Sequence, residues 1–357
     1  MVRRRLVFQQ PVRTGRGEFD ARDSLLVELR DADGAHGLGE AAPWPGFGED
    51  DLVATERALR AALTRLETMD LTSESATMPD PVAATLENHP AAHAAVEGAL
   101  CDLAARRAGS PLARWLAQRA APSARAASER VACGALLLGR TPEAVRDEAA
   151  QVRASGYRAA KLKLGGVPLD VDVARVRAAR AGLGPRVRLR GDANGAWSRA
   201  EAARAFAALA VFELEYVEQP VAAEDLEGLA ALRGRSSVRV AADESVAGEP
   251  GLRAVIDARA ADVVVLKPAL LGGPLRTLVL AAQARTAGLD VVLTHALDSA
   301  VGAWHAVNCA AAWADSAAVH GLRTAGLFVT DVGPAVEATA GFVTLSGRPG
   351  LGFESWH

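Results

Sequence analysis

From Val131 onward the chain repeats one pattern: a short apolar run, a polar loop, then an amphipathic stretch with helical spacing. The runs begin near Val131, Ala159, Val187, Leu214, Val238, Asp262 and Val291, intervals of roughly 24 to 29 residues, as serial strand–helix units produce. The stretches between them read as helices. Thr141-Pro142 is an N-cap with proline in the first turn, and Val145, Ala149 and Val152 then share one face. Leu275, Leu278 and Ala282 repeat the arrangement after Gly272-Gly273-Pro274. Seven such units, with an eighth strand after His320, predict a parallel barrel of the α/β class. An open doubly wound sheet is the competing fold, but no GxGxxG follows the first strand.

The first third has a different pattern. Leu25, Val27 and Leu29 alternate, Asp33-Gly34 marks a hairpin turn, and Gly37-Leu38-Gly39-Glu40 returns the chain. Helical spacing follows from Asp51 to about Leu66 and from Ala91 to about Leu116. Proline-rich breaks lie at Met78 to Pro81 and His89-Pro90, and Ala120 to Ser128 reads as a linker. These features predict a small α+β unit over residues 1–125, ahead of a barrel over 126–330.

Composition narrows the function classes. The chain has 357 residues, 50% hydrophobic and 23% charged, which suits a large barrel plus a second unit and excludes disorder as its main state. A net charge of -3 gives no basic footprint for nucleic acid or an anionic membrane. Cys101, Cys133 and Cys309 share no ligand-like spacing and read as buried thiols in a reducing compartment. The basic start, Met1-Val2-Arg3-Arg4-Arg5, lacks an apolar segment after it, and the uncharged stretch Ser299 to Ala314 is too short to span a bilayer. The expectation is a soluble cytoplasmic protein.

Of 40 basic residues only Lys161, Lys163 and Lys267 are lysine. A compositional bias toward arginine accounts for the imbalance, and it also singles out the lysines that remain. Arginine stays protonated, whereas a lysine can lose its proton when burial and neighbours lower its pKa. All three lie at predicted strand ends, where barrel enzymes place their chemistry. The second strand ends in Lys161-Leu162-Lys163, whose period of two turns both lysines inward. The third ends in Arg190-Gly191-Asp192-Ala193-Asn194, the fourth in Glu218-Gln219-Pro220, the fifth in Asp243-Glu244-Ser245 and the sixth in Lys267-Pro268.

Any one of these charges could be a helix cap or a solvated loop residue. Three carboxylates converging on one barrel mouth repel one another and call for a cation. Oxygen donors without thiolate or clustered histidine select a hard ion, Mg2+ with Mn2+ as the alternative, so Asp192, Glu218 and Asp243 are the expected ligands. With lysines facing each other across that ion, the expected chemistry is proton abstraction α to a carboxylate of a small molecule, through an enediolate.

The ordered set Lys-x-Lys, Asp-x-Asn, Glu-Gln-Pro, Asp-Glu-Ser and Lys-Pro resembles the muconate-lactonizing-enzyme subgroup of the enolase superfamily over nearly the full length. That resemblance implies an N-terminal capping domain, a (β/α)7β barrel and a C-terminal segment, 331–357, returning to the cap. It narrows to the o-succinylbenzoate synthase family on Thr14-Gly15-Arg16-Gly17, on Thr294 to Gly302, and on His320-Gly321-Leu322 with Thr324. It implies that Lys163 removes the α-proton of a succinyl-hydroxycyclohexadiene carboxylate in a dehydration of menaquinone biosynthesis. Lys267 would stabilise the enediolate and Lys161 would tune Lys163. Arg190 and Asn194 would orient substrate or ligand carboxylates, and Ser299 with its neighbours would hold the succinyl arm through N–H groups at a helix start. His295 and Asp298 stand where related enzymes tend to show Ser and Glu; Asp298 and Arg16 are candidate substrate contacts, and His295 reads equally as a substrate contact or as a packing or supporting histidine. In the cap, Trp44 and Phe47 read equally as substrate contacts or as packing against the barrel. The alternative is an N-succinylamino acid racemase or dipeptide epimerase of the same fold, although no Asp-x-Asp pair stands between Val319 and Thr330.

Overall fold

The alternating positions near the N-terminus pair into an antiparallel sheet. The computed structural model describes residues 1–14, 17–44, 51–69, 78–120 and 126–356. It places β1 (Val2–Thr14), β2 (Gly17–Arg30) and β3 (His36–Ala41) in that order, joined at the predicted turn. Asp31 fixes this turn by accepting from Ala35 N at 2.8 Å, while Arg107 holds the same carboxylate at 2.7 Å. The face of the sheet that carries Leu25, Val27 and Ala41 is buried against α3 (Pro90–Arg107) and α1 (Leu52–Glu67), with α2 (Asp80–Thr85) and α4 (Leu112–Ala120) in the same core. Packing of α3 on β3 is close enough to require glycine. A Cβ at Gly39 would lie 1.9 Å from the Ala95 carbonyl oxygen.

The single helix predicted from Ala91 to Leu116 is in fact two, α3 and α4. Gly109 takes a left-handed φ of 60°, Ser110 N donates back to Ala105 O, and Pro111 then disfavours a helical residue before it.

The later strands form one seven-stranded parallel sheet: β5 (Ala135–Leu137), β6 (Ala159–Lys163), β7 (Arg188–Asp192), β8 (Leu214–Glu218), β9 (Arg239–Ala242), β10 (Val263–Leu266) and β11 (Asp290–Leu293). The connecting helices are α5 (Pro142–Ala154), α6 (Leu169–Leu183), α7 (Arg199–Leu209), α8 (Leu226–Leu232), α9 (Gly248–Asp257), α10 (Pro274–Thr286) and α11 (Ala300–Trp313). The predicted cap on α5 is present, with Thr141 Oγ1 accepting from Ala144 N at 3.3 Å.

Two details differ from the sequence reading. The apolar run at Val131 begins in β4 (Arg130–Ala132), which pairs with β12 (Phe342–Thr344), and the barrel strand follows it. The eighth barrel position is occupied by His320 and Gly321, which bridge Cys133 on one side and Thr294 on the other. This closes the circle without an apolar run of its own.

The N-terminal unit is fastened to the barrel by buried acidic side chains. Glu40, at the end of β3, accepts from Ser299 N at 3.1 Å and Gly302 N at 2.8 Å, which caps α11. Glu97, on α3, accepts from Leu275 N at 2.9 Å and caps α10. Asp102 joins the last segment to the cap, accepting from Leu38 N at 2.9 Å and from Leu351 N at 2.7 Å. Such groups satisfy helix-terminal and loop donors that would otherwise be buried unpaired. Among the described residues no helix is long and apolar enough to cross a membrane.

Candidate active site

Parallel register brings the charged strand ends to one level. Lys163 lies opposite Asp192, Asp192 opposite Glu218, and Glu218 opposite Ala241, one residue before the end of β9. Asp243 and Lys267 directly follow β9 and β10. Strand alternation turns Lys161 and Lys163 to one side, as the sequence predicts.

The lysines and carboxylates interlock. Lys161 Nζ lies 2.8 Å from Glu218 Oε1 and 3.0 Å from Asp192 Oδ2. Lys163 Nζ lies 2.7 Å from Asp192 Oδ2 and also donates to Asn194 Oδ1. Lys267 Nζ bonds Asp243 Oδ1 at the far end of the arc. Although burial opposes its charge, Asp192 and Glu218 hold Lys161 well above its ordinary pKa. Lys161 is therefore a fixed positive charge beside Lys163. Burial would raise Asp192, but the Lys161 and Lys163 ammonium groups hold it below the usual carboxylate range.

Three lysines do not quiet the whole carboxylate set. Burial and then Asp192 push Glu218 up to about 7. Burial also pushes Asp243 up to about 6, against the attraction of Lys267. In both, the neighbouring lysines do not offset the cost of burying the charged form. Next to Asp243, the Oε2 atom of Glu244 is buried without a hydrogen-bond partner. Among the described residues no three His, Cys, Asp or Glu side chains are already gathered around one point, because the ammonium groups stand between the carboxylates. An all-oxygen, charge-excessive donor set of Asp192, Glu218 and Asp243 nevertheless fits a hard divalent cation in chemistry.

The residues expected to touch substrate are mostly committed elsewhere. Arg190 reaches Glu215 Oε2 at 2.6 Å and Val319 O at 2.8 Å, and it stacks over Tyr216. It braces the barrel interior instead of orienting a ligand. Asn194, held at a positive φ of 46°, accepts from Lys163 and donates to Glu244 Oε1 at 3.1 Å, so it orients the lysine. Asp298 accepts from Ala296 N at 2.9 Å and pairs with the buried Arg22 guanidinium at 3.4 Å. Burial pushes Arg22 down and Asp298 up, which marks desolvation as outweighing their attraction.

Ser299 is fully buried, and its hydroxyl donates to Glu40 Oε2 at 2.6 Å. The N–H groups of Ser299, Ala300, Val301 and Gly302 go to Glu40, Asp331, the Ser299 hydroxyl and Glu40. The expected anion site at this helix start is thus filled by the protein itself. His295 accepts from Leu297 N at Nδ1, 3.0 Å away, and burial pushes it down to about 4, so it is neutral. Trp44 packs with Leu270 and Ala296, a cap-to-barrel contact, and carries Arg22 over its ring at 4.5 Å. Arg16 and Phe47 lie outside the described residues.

Gln219 has a role that the sequence did not assign. Its buried side-chain oxygen accepts from Asp243 N at 3.0 Å and Ser245 N at 3.2 Å, and its nitrogen donates to Ser245 Oγ at 2.9 Å. This amide ties the end of β8 to the segment carrying Asp243. The Glu-Gln-Pro motif was the available signal. Gln219's backbone φ of 37° turns the chain there, which no local pattern foretells.

Comparison with known proteins agrees with this architecture. Residues 1–117 match the family model described as mandelate racemase / muconate lactonizing enzyme, N-terminal domain, and residues 144–355 match the enolase C-terminal domain-like model. An o-succinylbenzoate synthase from Mycolicibacterium smegmatis is 44% identical over 229 residues, 62% of this chain and 68% of the relative. One from Thermobifida fusca is 46% identical over 189 residues, 52% of this chain and 58% of the relative. The substrate-liganded L-Ala-D/L-Glu epimerase of Bacillus subtilis has a similar structure, with a TM-score of 0.86 at 25% identity, covering 100% of this chain and 98% of that one. Capping sheet, closed parallel barrel and two matching domain models together make this chain a member of the enolase superfamily, of the mandelate racemase / muconate lactonizing enzyme kind.

Proposed function

We propose that the protein is an o-succinylbenzoate synthase: a lyase that dehydrates a succinyl-hydroxycyclohexadiene carboxylate to its aromatic product. The observation that carries this reading is the arc Lys163, Lys161, Asp192, Glu218, Asp243 and Lys267, delivered by five consecutive strands. The name shared by the 44% and 46% identical relatives supports the choice of substrate.

Lys163 is the base. It removes the proton α to the ring carboxylate and later gives it to the departing hydroxyl, so that a C–H and a C–O bond break, water leaves and the ring becomes aromatic. Asn194 aims the Lys163 amine, and Lys161, two residues earlier on the same face, is held charged by Asp192 and Glu218 beside it. Lys267, at the other end of the arc, stabilises the negative charge that spreads onto the carboxylate, and it faces the ring for a cation–π contact. Mg2+ held by Asp192, Glu218 and Asp243 would add fixed positive charge at that carboxylate. Gln219 holds Asp243 in place for this task. The protein acts in the cytoplasm, as a supplier of an aromatic precursor for menaquinone biosynthesis.

The test is ultraviolet-monitored turnover of the cyclohexadiene carboxylate with Mg2+, run beside an N-succinylamino acid in D2O. Rapid appearance of the aromatic product is expected. Deuterium uptake at the amino-acid α-carbon without any dehydration would move the protein to the racemases.

A further inference from the structure

The proposed function leaves one side of the barrel mouth without a role. In β5, Leu136 stands opposite Lys161, and Leu137 stands opposite Leu162. Residues paired across a parallel ladder project from the same face. Leu137 and Leu162 are buried on the outer, helix-covered face, so Leu136 projects with Lys161 into the barrel. Barrel interiors are ordinarily filled by layers of branched side chains. Val263, Val265 and Val292 do this in the interior cluster around Tyr216. Leu136 instead is 58% exposed, and Leu138, just beyond the strand, is 70% exposed. They are the only exposed leucines among the described residues.

The rim that carries them is held in place. Leu138 N and Gly139 N both donate to Glu148 Oε2 on α5, at 2.8 and 2.9 Å. The strand itself, Ala135-Leu136-Leu137, brings no charge, whereas each of the next five strands brings at least one at its end. The mouth is therefore amphipathic: a polar arc from β6 to β10 beside a fixed apolar wall on β5. A leucine left in water costs free energy that a covering apolar group recovers.

We propose that Leu136 and Leu138 form the surface on which the substrate ring rests, and that they set a preference for cyclic over open-chain carboxylates. This rests on the dehydratase reading for the identity of the ring, and on geometry alone for the preference itself.

Leu136→Asn and Leu138→Asn test it, since asparagine nearly matches leucine in size and both positions are already exposed. Each variant is assayed for dehydration, and for binding of o-succinylbenzoate, benzoate and ringless succinate by calorimetry with Mg2+. For Leu136→Asn, KM and the Kd of both ring compounds should rise about ten-fold or more, as expected when uniform apolar binding is lost, with kcat within about three-fold. Succinate binding should stay unchanged. Unaltered KM and ring Kd in both variants would overturn the proposal, as would an equal loss for succinate. Should wild type fail to dehydrate the cyclohexadiene, the functional reading falls. The benzoate-to-succinate comparison then decides the ring preference by itself.

Discussion

Glu97→Gln probes how the cap is fastened beside the loop that follows Lys267. Glu97 is buried at the start of α10, and a Cβ at Gly273 would lie 2.2 Å from its Oε2. Burial pushes its carboxyl up to about 8 from an ordinary 4.5. In the unfolded chain it ionises near the ordinary value. Between those two pH values the folded state therefore holds a proton that the unfolded state has released, and stability falls as pH rises across the window. At about 1.36 kcal/mol per pK unit, the whole shift is worth at most about 5 kcal/mol. Glutamine keeps an oxygen for Leu275 N and cannot ionise. The variant should match wild type near pH 5 and surpass it progressively to pH 8. At roughly 2 °C per kcal/mol for a chain of this size, the gain in Tm approaches about 10 °C. Circular-dichroism melts at pH 5, 6, 7 and 8 give the comparison. Parallel Tm profiles with a constant offset would refute the reasoning, because they would mean that Glu97 ionises alike in both states.

Other expectations follow from the same contacts. Asp243→Asn should weaken Mg2+ binding and shift the Mg2+ dependence of turnover upward, measured by calorimetry and by activity titration; an unchanged dependence removes Asp243 from the ligand set. Gln219→Ala should lower kcat about 10- to 100-fold, the usual effect of losing a group that orients a metal ligand, while Gln219→Glu should restore part of it through the retained acceptor. Gly39→Ala should destabilise by about 3 kcal/mol or more in urea unfolding, since overpacking against the Ala95 carbonyl cannot relax without moving α3 from β3.

The barrel was legible because strand and helix periods alternate without interruption from Ala159 to Leu293. The eighth position is legible only as lying after His320, since the two bridging residues, His320 and Gly321, make no periodic signal. The split between α3 and α4 was visible in Gly109 and Pro111 but was outweighed by the apolar spacing on either side. Within the site, the lysines and carboxylates followed from alternation and strand-end position. The residues near α11 were misjudged for a nonlocal reason. Ser299 looks like a free helix start in sequence, yet its partner Glu40 is 259 residues away in the chain. Asp298 is likewise claimed by Arg22, 276 residues off. Hydrogen-bond donors and acceptors read from sequence are available in principle, and only the fold shows which have been taken.

The step on which the proposed reaction depends is proton transfer by Lys163. Its most direct test is dehydration of the cyclohexadiene carboxylate by Lys163→Ala, followed as aromatic absorbance at saturating Mg2+, with Mg2+ binding measured on the same sample. Turnover should fall by at least about four orders of magnitude, as for removal of an essential proton-transfer group, with Mg2+ affinity nearly intact. Turnover within about ten-fold of wild type in a variant that still binds Mg2+ would contradict it.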